Sequence, residues 1–160
     1  MIRQNIVLKN IISENIAHIE YPNFGGAPTK YNPRGGTRTF DLVFDNLELA
    51  DKLAEEGWNI KFREYDSGTR RAKLNVKVAL NVPKYPVNLL MLSSEGKTRI
   101  TDKNIEILDQ AAFQDIDLII RPREWNDDDG NVKIKAYLQT MFVVLYEDEL
   151  VKKFNSLSAE

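Results

Sequence analysis

Basic and aromatic side chains occur together in several separate parts of this chain. The segment YPNFGGAPTKYNPRGGTRTF, residues 21–40, is rich in glycine and proline and contains no acidic residue. Its main basic and aromatic members are Phe24, Lys30, Tyr31, Arg34, Arg38 and Phe40. Cations neutralise phosphates and flat rings stack on bases, so this combination is typical of a groove for single-stranded nucleic acid. Glycine would let the backbone approach a strand, and proline would limit the entropy lost on ordering the segment.

Predicted strands repeat the basic pattern on one of their two sides. The segments WNIKFRE (58–64), KLNVKVAL (73–80) and VKIKAYLQ (132–139) alternate apolar and polar residues, so one side of each faces a core. The other side carries Lys61, Arg63, Lys73, Lys77, Lys133, Lys135 and Tyr137. Like charges on adjacent strands repel, so this arrangement indicates an anionic partner. Solvated lysines, or lysines that protect a sheet edge, are the alternative explanation.

Two shorter groups also combine rings with cations. The first consists of Tyr65, Arg70 and Arg71, and the second of Arg121, Arg123 and Trp125. Any one ring is more often part of a core than a stacking platform, but the recurrence of ring and cation favours a binding surface. Trp58 shares a side with Ile60 and Phe62, so we expect it mainly in the core.

Motifs for catalysis or metal binding are weak by comparison. His18 is the only histidine and the chain has no cysteine, so a nucleophilic triad would have to use His18. GGAPTK lacks the spacing of a phosphate loop, and WNDDDGN fits a hairpin tip better than a calcium loop. Scattered carboxylates such as Glu14, Glu20 and Asp41 leave a metal-dependent nuclease open as an alternative. The favoured expectation is a protein with no cofactor, no metal and no catalytic residues.

Length and composition predict one globular domain. The chain has 160 residues, of which 42% are hydrophobic, and its net charge is −2. The charge is sorted along the chain, with +6 over residues 58–100 and −6 over residues 101–131, which predicts separate basic and acidic faces. No apolar run could span a bilayer, no signal peptide is recognisable and cysteine is absent, so we expect a cytoplasmic protein with no membrane association.

Periodicity and turn residues predict a strand-rich chain with two or three short helices. The predicted strands cover residues 5–20, 37–44, 58–64, 73–80, 86–94, 115–125 and 132–147, with Pro122 disturbing the end of the sixth. The predicted helices cover residues 46–57, 101–113 and 148–154. Many short strands with uneven loops indicate a mainly β, OB-fold-like small barrel with extended loops and hairpins. We expect this barrel over residues 1–146, followed by an acidic, amphipathic tail over residues 147–160.

The order of these motifs resembles that of the single-stranded-DNA-binding proteins of tailed bacteriophages, which have a replication-protein-A-like OB fold. The resemblance is carried by NFGGAPTKYNPRGGTRTF, GWNIKF, LNVKV, DLIIRPREW and KAYLQTMFV, with the acidic YEDEL after them. It implies a replication or recombination accessory that coats single strands without chemistry of its own. By position it points to Phe24, Lys30, Tyr31, Arg34, Arg38, Trp58, Lys61, Arg121, Trp125, Lys135 and Tyr137. The ending LVKKFNSLSAE departs from the acidic, apolar-tipped tail with which many bacterial proteins of this function recruit partners.

Three hypotheses of different classes follow. The leading one is sequence-nonspecific binding of single-stranded DNA, or of RNA, by a basic groove with stacking rings, with other replication or recombination proteins as further partners. The second is the metal-dependent nuclease. The third is a protein-interaction module whose basic sheet face meets an acidic partner.

Overall fold

The computed structural model describes residues 4–30 and 32–146, and this part of the chain is mainly β. Its strands are β1 (Ile6–Leu8), β2 (Ala17–Asn23), β3 (Thr39–Phe44), β4 (Lys61–Glu64), β5 (Arg70–Lys77), β6 (Asn88–Ser93), β7 (Gly96–Arg99), β8 (Phe113–Asn126) and β9 (Val132–Leu145). One α-helix, α1 (Leu47–Glu55), and one short 3₁₀ helix (Ile105–Asp109) complete the described elements.

The long hairpin of β8 and β9 is the centre of a single open sheet. Strand β1 pairs with the outer edge of β8, and the sheet continues from β9 through β5 and β3 to β2. The free edge of β9 is shared by two parallel neighbours, because Val76 of β5 lies opposite Ala136 and Asn88 of β6 lies opposite Thr140. Strand β4 pairs with the first half of β5, and β7 pairs with β6. Among the described residues, β1 and β2 form the two ends of the strand path.

Alternate residues of the central strands fill one core. Phe40 and Leu42 of β3, Leu74 of β5, and Ile120 and Leu138 of the long hairpin are all buried. Successive side chains of a strand point to opposite faces, so each buried residue leaves its neighbours on the outer face. The strand pairing that builds the core therefore also brings the polar side chains of these strands together on the outer face.

Helix α1 forms where its sequence predicts. Asn46 precedes the helix, and its side-chain oxygen accepts a hydrogen bond of 3.1 Å from the Leu49 N–H. Gly57, with φ of 110°, follows the helix, in a conformation that only glycine adopts readily. Ala50 and Leu53, on the apolar side of the helix, are buried.

The predicted strand over residues 5–20 is in fact two strands joined by a turn. Asn10 and Asn15 have positive φ angles of 53° and 54°, which bend the chain between β1 and β2. The Asp115 carboxylate of β8 holds this turn by accepting hydrogen bonds from the N–H groups of Ile12 (3.1 Å) and Ser13 (3.4 Å). Strand propensity alone predicts one continuous strand over this isoleucine-rich run. It does not reveal the turn, because the turn depends on a carboxylate that is distant in sequence.

Three other local predictions are wrong. The helix predicted over residues 101–113 is only the 3₁₀ helix, because β8 already begins at Phe113. Pro122 does not disturb β8, since it lies beyond the last register pair with β1 and needs no hydrogen bond on that edge. Phe62 is 41% exposed rather than buried, because β4 is an outer strand with all four residues exposed.

Some predictions fall on residues outside the described ranges. These are Tyr31, the predicted helix over residues 148–154 and the tail over residues 147–160. Within the described ranges, no helix is both long enough and apolar enough to cross a membrane.

Candidate nucleic-acid interface

Strand pairing brings most of the predicted binding residues onto one surface, which we call the basic face. Tyr137 lies opposite both Arg121 of β8 and Lys77 of β5, and Lys73 lies opposite Lys61 of β4. Residues that are opposite each other in neighbouring strands share a face of the sheet. The basic face consists of Lys61, Arg63, Arg71, Lys73, Lys77, Arg121, Arg123, Trp125, Lys133, Lys135 and Tyr137.

Cations and rings alternate along the part of the basic face formed by β8 and β9. The Lys135 Nζ lies 4.9 Å from the centre of the Trp125 ring, and the Arg123 guanidinium carbon lies 5.7 Å from the Tyr137 ring. Arg123 also donates a hydrogen bond of 3.4 Å to the Tyr137 hydroxyl. Each ring is thus held beside a positive charge, which is the arrangement that a strand of stacked bases and phosphates requires.

A cleft of about 220 Å³ runs between β4, β5 and β9 on the basic face. Its lining combines four lysines and a ring with apolar residues and one carboxylate: Lys61, Lys73, Lys77, Lys135, Trp125, Ile134, Ala136 and Asp41. Trp125 is 38% exposed, so part of the indole is available at the edge of this cleft. The cleft therefore brings four cations, one carboxylate, a ring and apolar side chains together within one short stretch of surface.

Two carboxylates interrupt the basic face on the side of β2 and β3. Glu20 forms an ion pair with Arg71, and the Asp41 carboxylate lies 3.5 Å from the Lys73 Nζ. Asp41 also accepts a hydrogen bond of 3.0 Å from the Asn75 side chain. The basic sides of the predicted strands contain almost no acidic residue in the sequence. These two acids come instead from the neighbouring strands β2 and β3. They neutralise part of the charge on Arg71 and Lys73.

His18 lies between two carboxylates on this side of the basic face. Its Nδ1 lies 3.1 Å from Asp45 and its Nε2 lies 2.8 Å from Glu20. Within residues 4–30 and 32–146, no three side chains of the His, Cys, Asp and Glu types are grouped so that they could hold a metal ion.

Arg70, predicted at the interface, lies on the other side of the sheet. It is opposite Glu64 in the register of β4 and β5 and donates a hydrogen bond of 2.9 Å to Asp51 of α1. This hydrogen bond and the Asp51 charge raise the pKa of the Arg70 guanidinium above its ordinary value. Arg70 and Arg71 are adjacent in sequence, so the pleat of β5 sends them to opposite faces.

Three predicted rings are part of the core. Phe24 and Phe40 are fully buried and stack on each other with ring centres 5.3 Å apart. Trp58 is 3% exposed. Rings that are enclosed by other side chains in this way are not available to stack on bases, so Phe24 and Phe40 are core residues rather than binding residues. Trp58 lies in the core, as the pattern of its strand predicts, and not at the binding position that the resemblance implies.

Buried Phe24 begins a segment that we call the glycine loop, residues 24–38. Asp109 of the 3₁₀ helix anchors it by accepting hydrogen bonds from the N–H groups of Phe24 (2.5 Å) and Gly25 (2.9 Å). Arg38 donates a hydrogen bond of 2.7 Å to the Phe24 carbonyl, so this predicted phosphate ligand closes the loop. At Gly35, φ is +73° and a Cβ would lie 2.9 Å from the Gly26 oxygen, so only glycine fits.

Lys30 and Arg34 are exposed in the middle of the glycine loop. They are outside the strand registers that assemble the basic face. The loop itself leads into β3 at Thr39, which lies opposite Lys77, so its end adjoins that face.

The aspartate-rich tip of the β8–β9 hairpin is a closed turn, as predicted. The Asp127 carboxylate accepts hydrogen bonds from the N–H groups of Asn131 (2.8 Å) and Asp129 (3.0 Å). These bonds, that of Asn131 above all, lower the pKa of Asp127. The turn fixes the register in which Trp125 lies opposite Lys133.

Sequence reasoning missed Tyr85 and Lys84, which lie in the connection between β5 and β6. The Arg121 guanidinium carbon is 4.0 Å from the Tyr85 ring centre and 5.1 Å from that of Tyr137. The segment NVPKYPVN has the same mixture of proline, cation and ring as the glycine loop. That composition was a usable signal for singling out this segment.

The fold is similar to that of a single-stranded-DNA-binding protein from a bacteriophage. A C-terminally truncated form of the protein from bacteriophage Enc34 matches with a TM-score of 0.51 and 15% identity, over 91% of this chain and 87% of that chain. The same protein in complex with single-stranded DNA gives a TM-score of 0.51 and 15% identity, over 91% and 88%. The gp2.5 protein of bacteriophage T7 gives a TM-score of 0.39 and 12% identity, over 90% and 88%.

No protein with a curated description matches the chain significantly. A protein-family model matches the chain over residues 2–159. On that match, the chain belongs to the family described as "Putative phage ssDNA-binding domain".

Proposed function

We propose that this protein binds single-stranded DNA on its basic face, without base-sequence specificity and without catalysing a reaction. The observation that carries the proposal is the pairing of Lys135 with Trp125, and of Arg123 with Tyr137, along β8 and β9. Family membership supports the same ligand, and so does the structure of the Enc34 protein in complex with single-stranded DNA.

In this proposal, cations hold the phosphates while rings hold the bases. Lys61, Lys77 and Lys135 neutralise phosphates along the cleft, and release of counterions drives binding. Trp125 and Tyr137 stack on bases, and every base has a flat face, so the interaction tolerates any sequence. The bases of duplex DNA are stacked inside the helix, so a duplex would contact only the lysines and arginines of the protein. We therefore expect it to bind more weakly. Single-stranded RNA also presents phosphates and unpaired flat bases, so it is the second ligand to compare.

We further propose that the sheet is an OB-type barrel formed by one domain over residues 1–146. The support is a set of bonds that brings the two ends of the strand path together. Ile11, between β1 and β2, donates a hydrogen bond of 3.1 Å to Ile116 of β8, and its carbonyl accepts one of 3.2 Å from Ala17 of β2. The OB fold is a partly open barrel, and an open sheet whose two ends are drawn together in this way fits that description.

The corresponding biological role is to coat and protect single strands during phage DNA replication or recombination in the host cytoplasm. The proposed role of the tail over residues 147–160, which begins with acidic residues, is to contact other replication proteins or to shield the basic face.

A salt titration with three ligands tests the proposed function. Affinity for a single-stranded oligonucleotide, the matching duplex and an RNA of the same sequence is measured from about 50 to 500 mM NaCl. We expect the single strand to bind more tightly than the duplex, and binding to weaken steeply with salt. The absence of single-strand binding at the lowest salt would refute the proposal. Incubation of labelled DNA with magnesium or manganese tests the nuclease alternative, which cleavage would support.

A further inference from the structure

An exposed tyrosine lies at one end of the basic face, on a segment that we call the crossing loop, residues 78–87. Tyr85 is 42% exposed, yet its ring is held in place, with the Arg121 guanidinium carbon 4.0 Å from the ring centre. The Tyr85 N–H donates a hydrogen bond of 3.0 Å to the Val82 carbonyl, and Pro83 and Pro86 restrict the backbone on either side. An aromatic ring that is both exposed and fixed contributes little to a core and loses little entropy when a ligand stacks on it.

The crossing loop continues the basic face in space. Strand β5 ends beside Tyr137 and β6 begins beside Thr140, so the loop spans the short gap between them on the same edge of β9. A cleft of about 180 Å³ separates the loop from β9, and its lining includes Lys84, Tyr85, Arg121 and Tyr137. Residues 134–136 of β9 line the cleft of the basic face and residues 137–139 line this one, so the two clefts are neighbours along β9.

Charge and ring chemistry in this second cleft match those of the first. Arg121 is within reach of two rings, and the Lys84 Nζ lies 5.7 Å from the Tyr85 ring centre. A guanidinium that is stacked on a tyrosine keeps its edge N–H groups free to bind a phosphate while the ring presents its other face.

We propose that Tyr85, with Arg121 and Lys84, forms a second stacking subsite for single-stranded DNA beyond Tyr137. The bound strand runs from the cleft beside Trp125, across Tyr137, to the crossing loop, with a base on Tyr85 and its phosphate on Arg121. This inference rests on the proposed function, because it extends the same ligand along the same surface. The proposed site therefore includes Tyr85 and Lys84 of the crossing loop, which the sequence analysis did not single out.

Photocrosslinking tests the contact directly on the full chain. Oligothymidylates that carry one 5-iodo-deoxyuridine, at each position in turn, are bound, irradiated and mapped by mass spectrometry. We expect crosslinks at Tyr85 from one end of the oligonucleotide and at Trp125 from the other end. Crosslinks at Trp125 or Tyr137 with none at Tyr85 would overturn the inference but leave the proposed function intact. If no oligonucleotide binds at all, both proposals fail.

Substitutions supply a second readout. Tyr85→Ala should lower the affinity for a long oligothymidylate about fivefold or more, as expected for the loss of one stacked base, while Tyr85→Phe keeps the ring and the affinity. Tyr21→Ala is the matched control, because Tyr21 is a tyrosine 74% exposed on the end strand β2. If Tyr85→Ala binds as tightly as the unaltered protein, the inference is wrong.

Discussion

The ammonium group of Lys135 lies 4.9 Å from the centre of the Trp125 ring, across the two strands of the β8–β9 hairpin. The two residues are diagonal neighbours, because Trp125 is opposite Lys133 in the register. A base that stacks on Trp125 would therefore bring its phosphate close to Lys135. This geometry makes Trp125 a natural reporter for the proposed ligand.

The first prediction uses the difference between the two tryptophans. Trp125 is 38% exposed and Trp58 is 3% exposed, so only Trp125 should change its fluorescence when a base stacks on it. Trp125→Phe should abolish most of the quenching by oligothymidylate, whereas Trp58→Phe should retain it. Steady-state fluorescence during titration measures both. Quenching that persists in Trp125→Phe would place the strand elsewhere.

The second prediction compares two arginines on opposite faces of the sheet. Arg123→Gln should remove one phosphate contact. The negative slope of log K against log salt should then become shallower by about 0.7. Arg70→Gln should leave that slope unchanged, because Arg70 pairs with Asp51 on the side of α1. Fluorescence titrations at several salt concentrations give both slopes, and equal slopes for the two variants would contradict the assignment of the binding face.

The third prediction concerns the acid that competes with phosphate on the basic face. Asp41→Asn removes the charge that faces Lys73 and keeps an oxygen that can accept the hydrogen bond from Asn75. Affinity for single-stranded DNA should rise, by up to about fivefold, since surface ion pairs are worth about 1 kcal/mol or less. Asp51→Asn, on the opposite face, is the control and should not alter affinity. Weaker binding by Asp41→Asn would mean that Asp41 orders the site.

The fourth prediction addresses the anchor of the glycine loop. Asp109→Ala leaves the N–H groups of Phe24 and Gly25 without their acceptor, which should lower the free energy of unfolding by about 1–3 kcal/mol. Urea denaturation measures the change. Asp102→Ala, at an exposed position just before the same 3₁₀ helix, should have little effect. Equal stability of the Asp109→Ala and unaltered proteins would show that water satisfies both groups.

The fifth prediction follows from the pKa of Asp115. Burial alone would raise this pKa, but the hydrogen bonds from Ser13, Ile116 and Ile12 together outweigh burial and lower it. A carboxyl whose pKa is lower in the folded state stabilises the fold above its unfolded pKa, near 4, and this stability is lost as pH falls through the folded pKa. Urea midpoints should therefore fall more between pH 6 and pH 3 in the unaltered protein than in Asp115→Asn. Parallel curves would contradict the prediction.

Local patterns were sufficient for helix α1 and for the basic sides of β5 and β9. The alternation of Lys73 and Lys77 with apolar neighbours depends only on the geometry of one strand, so sequence alone reveals it. The same holds for Asn46 as the residue before the helix. These features require no knowledge of which strands are neighbours.

Features that depend on distant pairing could not be predicted in this way. Glu20 reaches Arg71 only because β2, β3 and β5 are successive in the sheet, and the sequence does not specify that order. Phe24 and Tyr85 both lie in segments rich in proline and cations, yet one ring is buried and the other is exposed. Burial of a ring depends on what packs over it, which composition does not record.

The position of β9 has a consequence for how the protein becomes active during synthesis. Strand β9 is the last described strand to be made, yet it pairs with β8, β5 and β6 and supplies Lys135 and Tyr137. Before it is made, β5 and β6 lack their shared neighbour, and both clefts lack a side. A partly synthesised chain would thus have no completed surface for DNA, and binding competence would arise in one late step, once residues near 145 have left the ribosome.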